Sequence, residues 1–349
     1  FFSVAYTFIM KIIVFVKKNL FAIVFLLFVI FLVVFSNSSL LATKKGLNLW
    51  ANNVVPSLFP FLVAAQLLSH TNFIYYLSKL CNSYMKPLFN VPGIGAFPFI
   101  MGIISGYPVG AKIISNLYSN HDCTKNEAER MLCFCNNSGP LFILGTVGNG
   151  FYGSSIIGYI LLLTHILASI IVGIIFGQFS KFKFKSTSDK QLHSNPNLEN
   201  VNNLGEVLGN SIINSIKTIL VIGGFVTLFS VILSILGKTK LLVIIASPIS
   251  KLLHINSNIV VGFISGIIEF TNGLSMISSV HLKNLSINVC VSAFILGFGG
   301  ISVLLQTLSI ISKSKLSIKP YILGKVLQGI IASFLTFMIF KIPFFNLDI

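Results

Sequence analysis

Nine apolar runs follow one another along this chain with only short polar gaps between most of them, at about 20–36, 50–69, 94–114, 129–148, 154–176, 212–236, 257–279, 288–311 and 320–340. A hydrocarbon core of ~30 Å takes about 20 helical residues at ~1.5 Å rise each, so each run is a candidate span. Backbone in lipid must satisfy its own hydrogen bonds, which makes helices of these runs. The reading is an all-α integral membrane protein. Composition agrees, with 54% hydrophobic and 9% charged residues, against about 25% charged in soluble domains.

The formal charge of +16 would point to nucleic acid in a soluble chain. Here the lysines fall mostly in the polar gaps, where they orient spans, so the expected surroundings are membrane lipid and no nucleic-acid partner is implied. Cys81, Cys123, Cys133, Cys135 and Cys290 form no CxxC pair and the six His do not cluster around them, which leaves no metal site. No P-loop pattern and no HExxH occurs, so no enzyme and no cofactor are expected. Residues 1–9 receive no role, and Leu20 to Phe35 reads as a retained span because no small-residue cleavage site follows it.

One long polar stretch, "KFKFKSTSDKQLHSNPNLENVNNLG" at 181–205, divides the chain into halves, and the halves repeat. "GIISG" at 102–106 is matched by "GFISG" at 262–266, "SGPLFIL" at 138–144 by "GGISVLL" at 299–305, and "GYILLLTHILASIIVGIIF" at 158–176 by "PYILGKVLQGIIASFLTFM" at 320–338. The domain reading is an N-terminal span and flank over 1–45, a first repeat over 46–180, a cytoplasmic linker over 181–205 and a second repeat over 206–341. If all nine runs span, the 22 loop cations divide 11 to 11 between the two sides. If 94–114 and 257–279 dip in and return on the same side, they divide 15 inside and 7 outside, the bias that membrane insertion favours. Three true spans per repeat then make the repeats inverted, with broken or re-entrant segments meeting near the midplane, as in many secondary transporters.

Non-helical backbone at that depth must be wrapped in protein or line a wet cavity, so the breaks mark a site. In the first repeat they bring Ser105, Gly106, Tyr107 and Lys112 from "SGYPVGAK", then Asn136, Asn137, Ser138 and Gly139 from "CNNSGP"; in the second, Glu269 and Asn272 from "GIIEFTNG", then Gly299 and Gly300 from "LGFGGIS". These twelve are the candidate substrate-binding residues. Glu269 is the sharpest, since an intramembrane carboxylate is expensive and normally has a task or a partner. It binds a coupling cation, a proton or a polar solute, or it pairs with Lys112, which aligns with Asn272 across the duplication. Na+ and H+ are both open as coupling ions. Lys217 and Lys325 are read as snorkelling to the membrane surface, His165 as a neutral interhelical group, and "FIYYLSKLCNSYMKPLF" at 73–89 as an interfacial helix.

With these residues in view, the chain resembles the sporulation integral membrane protein (YlbJ) family, whose members carry nucleoside-recognition or Gate domains. The resemblance rests on "VVPSLFPFLVAAQLL" at 54–68, "SGYPVGAK" at 105–112, "CNNSGPLFILGTVG" at 135–148 and "GIIEFTNGL" at 266–274. It implies a fold like that of concentrative nucleoside transporters, a role in endospore formation, a bacterial cytoplasmic or forespore membrane, and transport of dipicolinic acid, a small planar dianion. Nucleoside transport itself is a fold-level analogy and is not inherited. The alternatives are a nucleoside-type permease and a scaffold for other sporulation membrane proteins or further copies of the chain.

Overall fold

The computed structural model describes residues 19–69, 71–181, 204–280 and 285–342, and among these every regular element is helical. The linker at 182–203 and residues 1–18 lie outside the described residues. After α1 (Asn19–Val34), α2 (Ser36–Leu49) runs through a π-helical turn at Trp50–Val54 into α3 (Val55–Ser69). Then come α4 (Phe73–Phe89), α5 (Ala96–Ser105), α6 (Val109–Ser119), α7 (Lys125–Cys135), a π-helical segment Phe142–Phe151, and α8 (Ser155–Lys181). The second half contains α9 (Leu204–Lys238), α10 (Leu241–Leu253), α11 (Ser257–Ile268), α12 (Phe270–Ser278), α13 (Leu285–Phe298), α14 (Gly300–Ile311) and α15 (Lys319–Lys341).

The two halves repeat one plan: a long helix, a shorter amphipathic one, a pair of short helices, a broken helix and a closing span. The two long helices run antiparallel, as inverted repeats require. Ser234 Oγ donates to Ser38 O (3.4 Å) near one end, and Trp50 Nε1 donates to Ile219 O (2.9 Å) further along. Between them Gly46 sits so close that a Cβ would lie 2.9 Å from Thr227 Cα.

That contact corrects an expectation. Residues 37–49 read as a polar gap between two spans, yet Ser36–Leu68 is one helix of 33 residues. The buried residues of α2 are Ser39, Ala42 and Gly46, a stripe of small side chains at helical spacing. Such a stripe lets a second helix approach closely, and α9 occupies it.

The runs 94–114 and 257–279 fold back on themselves. A Cβ on Gly102 would lie 3.4 Å from Gly110 Cα, whereas eight residues in a continuous helix are ~12 Å apart. In the second repeat Gly266 faces Gly273 and Gly262 faces Ile277. Both pairs are therefore re-entrant hairpins, hairpin 1 (α5–α6) and hairpin 2 (α11–α12). The bend between α4 and the segment that opens hairpin 1 is 93°, so α4 lies across the hairpin's axis, as an interfacial helix would.

Among the described residues five helices are long and apolar enough to cross a membrane, Ser36–Leu68, Ser155–Phe179, Leu204–Lys238, Leu285–Ser314 and Lys319–Lys341. Their outer faces are apolar. On α15, Leu323, Ile330, Phe334 and Phe337 are exposed, while Tyr321, Lys325, Gln328 and Thr336 are buried. This is the inverse of a soluble amphipathic helix, with lipid on the greasy side and polar groups facing protein.

Candidate functional site

Each hairpin tip rests on the broken helix of its own repeat, in the same way twice. A Cβ on Gly106 would lie 2.8 Å from Gly139 N, and one on Gly300 would lie 3.0 Å from Gly266 O. Gly106 (φ 84°) and Gly299 (φ 82°) hold left-handed backbone that favours glycine. The two repeats then meet through Tyr107. Its hydroxyl donates to Leu296 O (2.7 Å) and its ring stands edge-on to Phe270 at 6.0 Å. Phe142 packs on the same Phe270 at 5.2 Å.

Around this junction lies a small cavity of about 40 Å³, lined by Tyr107, Ser138, Gly139, Phe142, Phe270, Thr271 and Gln306 together with side chains of α3, α9 and α14. Of the twelve residues singled out from sequence, Tyr107, Ser138 and Gly139 line it. Gly106, Gly299 and Gly300 form the close backbone approaches beside it. The hydroxyls of Ser105 and Ser265, equivalent positions in the two tips, are buried without a hydrogen-bond partner among the described residues, as is that of Ser302. Buried polar groups normally find partners, so these three are unused bonding capacity next to the breaks.

Glu269 is fully buried and caps α12. Its carboxylate accepts from Thr271 N (3.1 Å), Asn272 N (2.8 Å) and Asn272 Nδ2 (2.7 Å). The helix N-terminus and three donors compensate the charge at this spot. The pair Lys112–Glu269 does not form. Lys112 Nζ instead donates to Thr218 Oγ1 (2.9 Å) and Asn214 O (3.4 Å) on α9, away from the cavity. Positions matched by an inverted repeat need not be neighbours in space, and Lys112 reaches α9 instead.

Asn136 and Asn137 join the repeats rather than line the cavity. Asn136 Nδ2 donates to Thr307 Oγ1 (3.1 Å) and Tyr321 OH (3.0 Å), and its Oδ1 accepts from Ala111 N (3.4 Å). Asn137 Oδ1 accepts from Gln328 Nε2 (2.9 Å) and Lys325 Nζ (3.4 Å). His165 Nε2 accepts from Ser138 N (3.1 Å), which assigns the neutral tautomer with its proton on a buried Nδ1 that has no partner among the described residues.

Lys325 is where the structure departs most from the sequence reading. It does not snorkel. It is fully buried, with Nζ donating to Gln328 Oε1 (2.7 Å) and lying 5.4 Å from the Tyr107 ring centroid and 5.9 Å from that of Tyr321. The signal was present in sequence as a polar stripe at 321, 325, 328 and 336, one face of a 3.6-residue helix. Phe270, Thr271 and Gln306 carried no comparable signal, because one aromatic or polar residue in a span is unremarkable. Lys217 is exposed on α9, as a snorkelling lysine is.

The architecture defines a class. Superposition on solved structures gives a TM-score of 0.52 with a double mutant of CNTnw in an outward-facing state, at 13% identity over 87% of this chain and 85% of that one. CNTnw in an inward-facing substrate-bound state gives 0.50, at 13% identity over 87% and 84%. The fold is therefore that of a concentrative nucleoside transporter. A family model described as Gate, nucleoside recognition, matches residues 51–182. The sporulation integral membrane protein YlbJ of Bacillus subtilis (strain 168) is 33% identical over 316 residues, covering 86% of this chain and 77% of that protein. This chain belongs to the YlbJ family of sporulation integral membrane proteins.

Proposed function

We propose that this protein is a carrier that moves a small polar anion, dipicolinic acid above all, across a forespore membrane. The observation that supports this reading is the meeting of two re-entrant tips and two helix breaks around one cavity. A scaffold has no use for such backbone in the membrane interior, where it is costly to satisfy. The sign of the solute follows from its surroundings. α6 and α14 begin at the breaks without a side-chain cap, leaving helix N-termini that favour negative charge, and the buried amine of Lys325 lies behind Tyr107. The rings of Tyr107, Phe142 and Phe270 offer flat faces for a planar aromatic solute.

At about 40 Å³ the cavity is far below the ~300–1,000 Å³ typical of ligand sites, so the tips must part to admit a solute. Uptake of labelled dipicolinate and, in parallel, uridine into proteoliposomes tests the reading. Saturable dipicolinate uptake that uridine does not compete supports it. Uridine uptake alone supports a nucleoside-type permease, and flux of neither, in correctly inserted protein, supports the scaffold.

A further inference from the structure

Lys325 presents a problem of charge. It is the one lysine among the described residues that is fully buried, and no carboxylate of those residues lies within ion-pair distance of it. Its neighbours are neutral near pH 7: the amides of Asn137 and Gln328, the rings of Tyr107 and Tyr321, the thiols of Cys133 and Cys135 on α7, and His165 on α8 in its neutral tautomer. α13, which also packs on α15, carries Cys290, whose titratable neighbour is Tyr152. Glu269, the other fully buried charge, is committed to the N-terminus of α12.

An ammonium in such a place is destabilised by desolvation. Two events relieve it: loss of the proton, or arrival of an anion nearby. The geometry makes the second available, because Tyr107 lines the cavity and also carries Lys325 Nζ over its ring at 5.4 Å, while Asn137 precedes the cavity-lining Ser138. Across one ring in a low-dielectric interior, charges interact strongly.

We propose that Lys325 is the proton carrier of the transport cycle. This rests on the reading of the protein as a carrier of a small carboxylate solute. With the cavity empty, Nζ is a neutral amine. When the solute enters, the Nζ lone pair takes a proton from water and compensates one carboxylate charge. When the solute leaves on the other side, that N–H bond breaks and the proton returns to water there, so solute and proton move together. Gln328 Oε1 and Asn137 Oδ1 hold Nζ in place in both forms.

The test measures labelled dipicolinate uptake and lumenal pH together in proteoliposomes holding wild type, Lys325→Gln or Lys325→Arg, between about pH 6 and pH 9, above the range where carboxylates titrate. Wild type is expected to acidify the lumen as dipicolinate enters, and its apparent affinity to rise as pH falls, by at most about tenfold per pH unit for one coupled proton. Lys325→Gln is expected to lose both the acidification and the pH dependence. Lys325→Arg, a permanent cation, is expected to keep binding without pH dependence and to lose net uptake. Wild-type dipicolinate uptake without proton movement overturns the proposal whatever the variants do, and so does Lys325→Gln with wild-type pH dependence. Absence of dipicolinate uptake by wild type at every pH overturns the carrier reading and this inference with it.

Discussion

Gly273→Ala tests the re-entrant geometry on which the site depends. An alanine Cβ at this position would lie 2.1 Å from Gly266 Cα, 2.4 Å from Gly266 N and 2.9 Å from Gly262 O. Ordinary contact begins near 3.4 Å, so the two legs of hairpin 2 must part by about 1.3 Å (3.4 − 2.1). All three obstructing atoms are backbone, so no rotamer change relieves the clash. Overpacking of this kind costs ~1–3 kcal/mol, and with no flexible neighbour the upper end applies. At the ~2–4 °C per kcal/mol typical of chains of 150–250 residues, ~3 kcal/mol lowers Tm by about 6–12 °C, nearer the low end for a longer chain. Thermal unfolding in detergent, followed by the fluorescence of a thiol probe that reports exposed cysteine, reads the shift. The matched control is Gly224→Ala on α9, where a Cβ meets nothing within 4 Å. There alanine's better helix propensity stabilises by up to ~1 kcal/mol. Equal Tm for Gly273→Ala and wild type would refute the close approach of Gly266 and Gly273, and with it the hairpin.

Two further predictions concern the same elements. Glu269→Ala removes a helix cap and leaves the buried amides of Thr271 and Asn272 unpaired, while Asn272 Nδ2 keeps Ser230 Oγ, a loss of about 3–5 kcal/mol, whereas Glu269→Gln keeps one acceptor and loses about 1–3 kcal/mol; melting temperatures should rank wild type, Gln, Ala in descending order. With the half-buried Cys81 and Cys290 replaced by alanine, single cysteines at exposed Ser83 and Ser119, which flank hairpin 1, should both react with an impermeant thiol reagent from the same face of the membrane, where a spanning segment would put them on opposite faces. Cys123, the native thiol nearest to Ser119, stays silent in that assay because burial, with Glu127 and Asp122 adding to it, pushes its thiol up to about 12.

The hairpins were legible in sequence because glycine and proline interrupt two apolar runs at matching places and because cation counting rejects nine full spans. The helical nature of 36–49 was not, since its few polar residues mimic a loop and only the presence of α9 explains Ser39, Ala42 and Gly46. Charges were harder still. A lysine near a span's end reads the same whether it snorkels or is buried, so Lys217 and Lys325 looked alike. Their difference lies in the neighbours at 321, 328 and 336, which form with Lys325 a polar stripe on the face of α15 that the structure buries. Lys112 failed as the partner of Glu269 for a reason of symmetry, because repeat-equivalent positions need not touch.

The central claim is that the hairpin tips part for a solute to pass. With Ser115 on α6 and Ser314 just after α14, whose hydroxyls share a hydrogen bond, replaced by cysteine, and the half-buried Cys81 and Cys290 by alanine, a short cleavable thiol cross-linker should hold hairpin 1 against the second repeat and so keep the tips joined. Dipicolinate uptake into proteoliposomes is then measured before and after the linker is cleaved. The account predicts uptake that is absent while the tips are joined and returns on cleavage; uptake at the same rate in both states would contradict it.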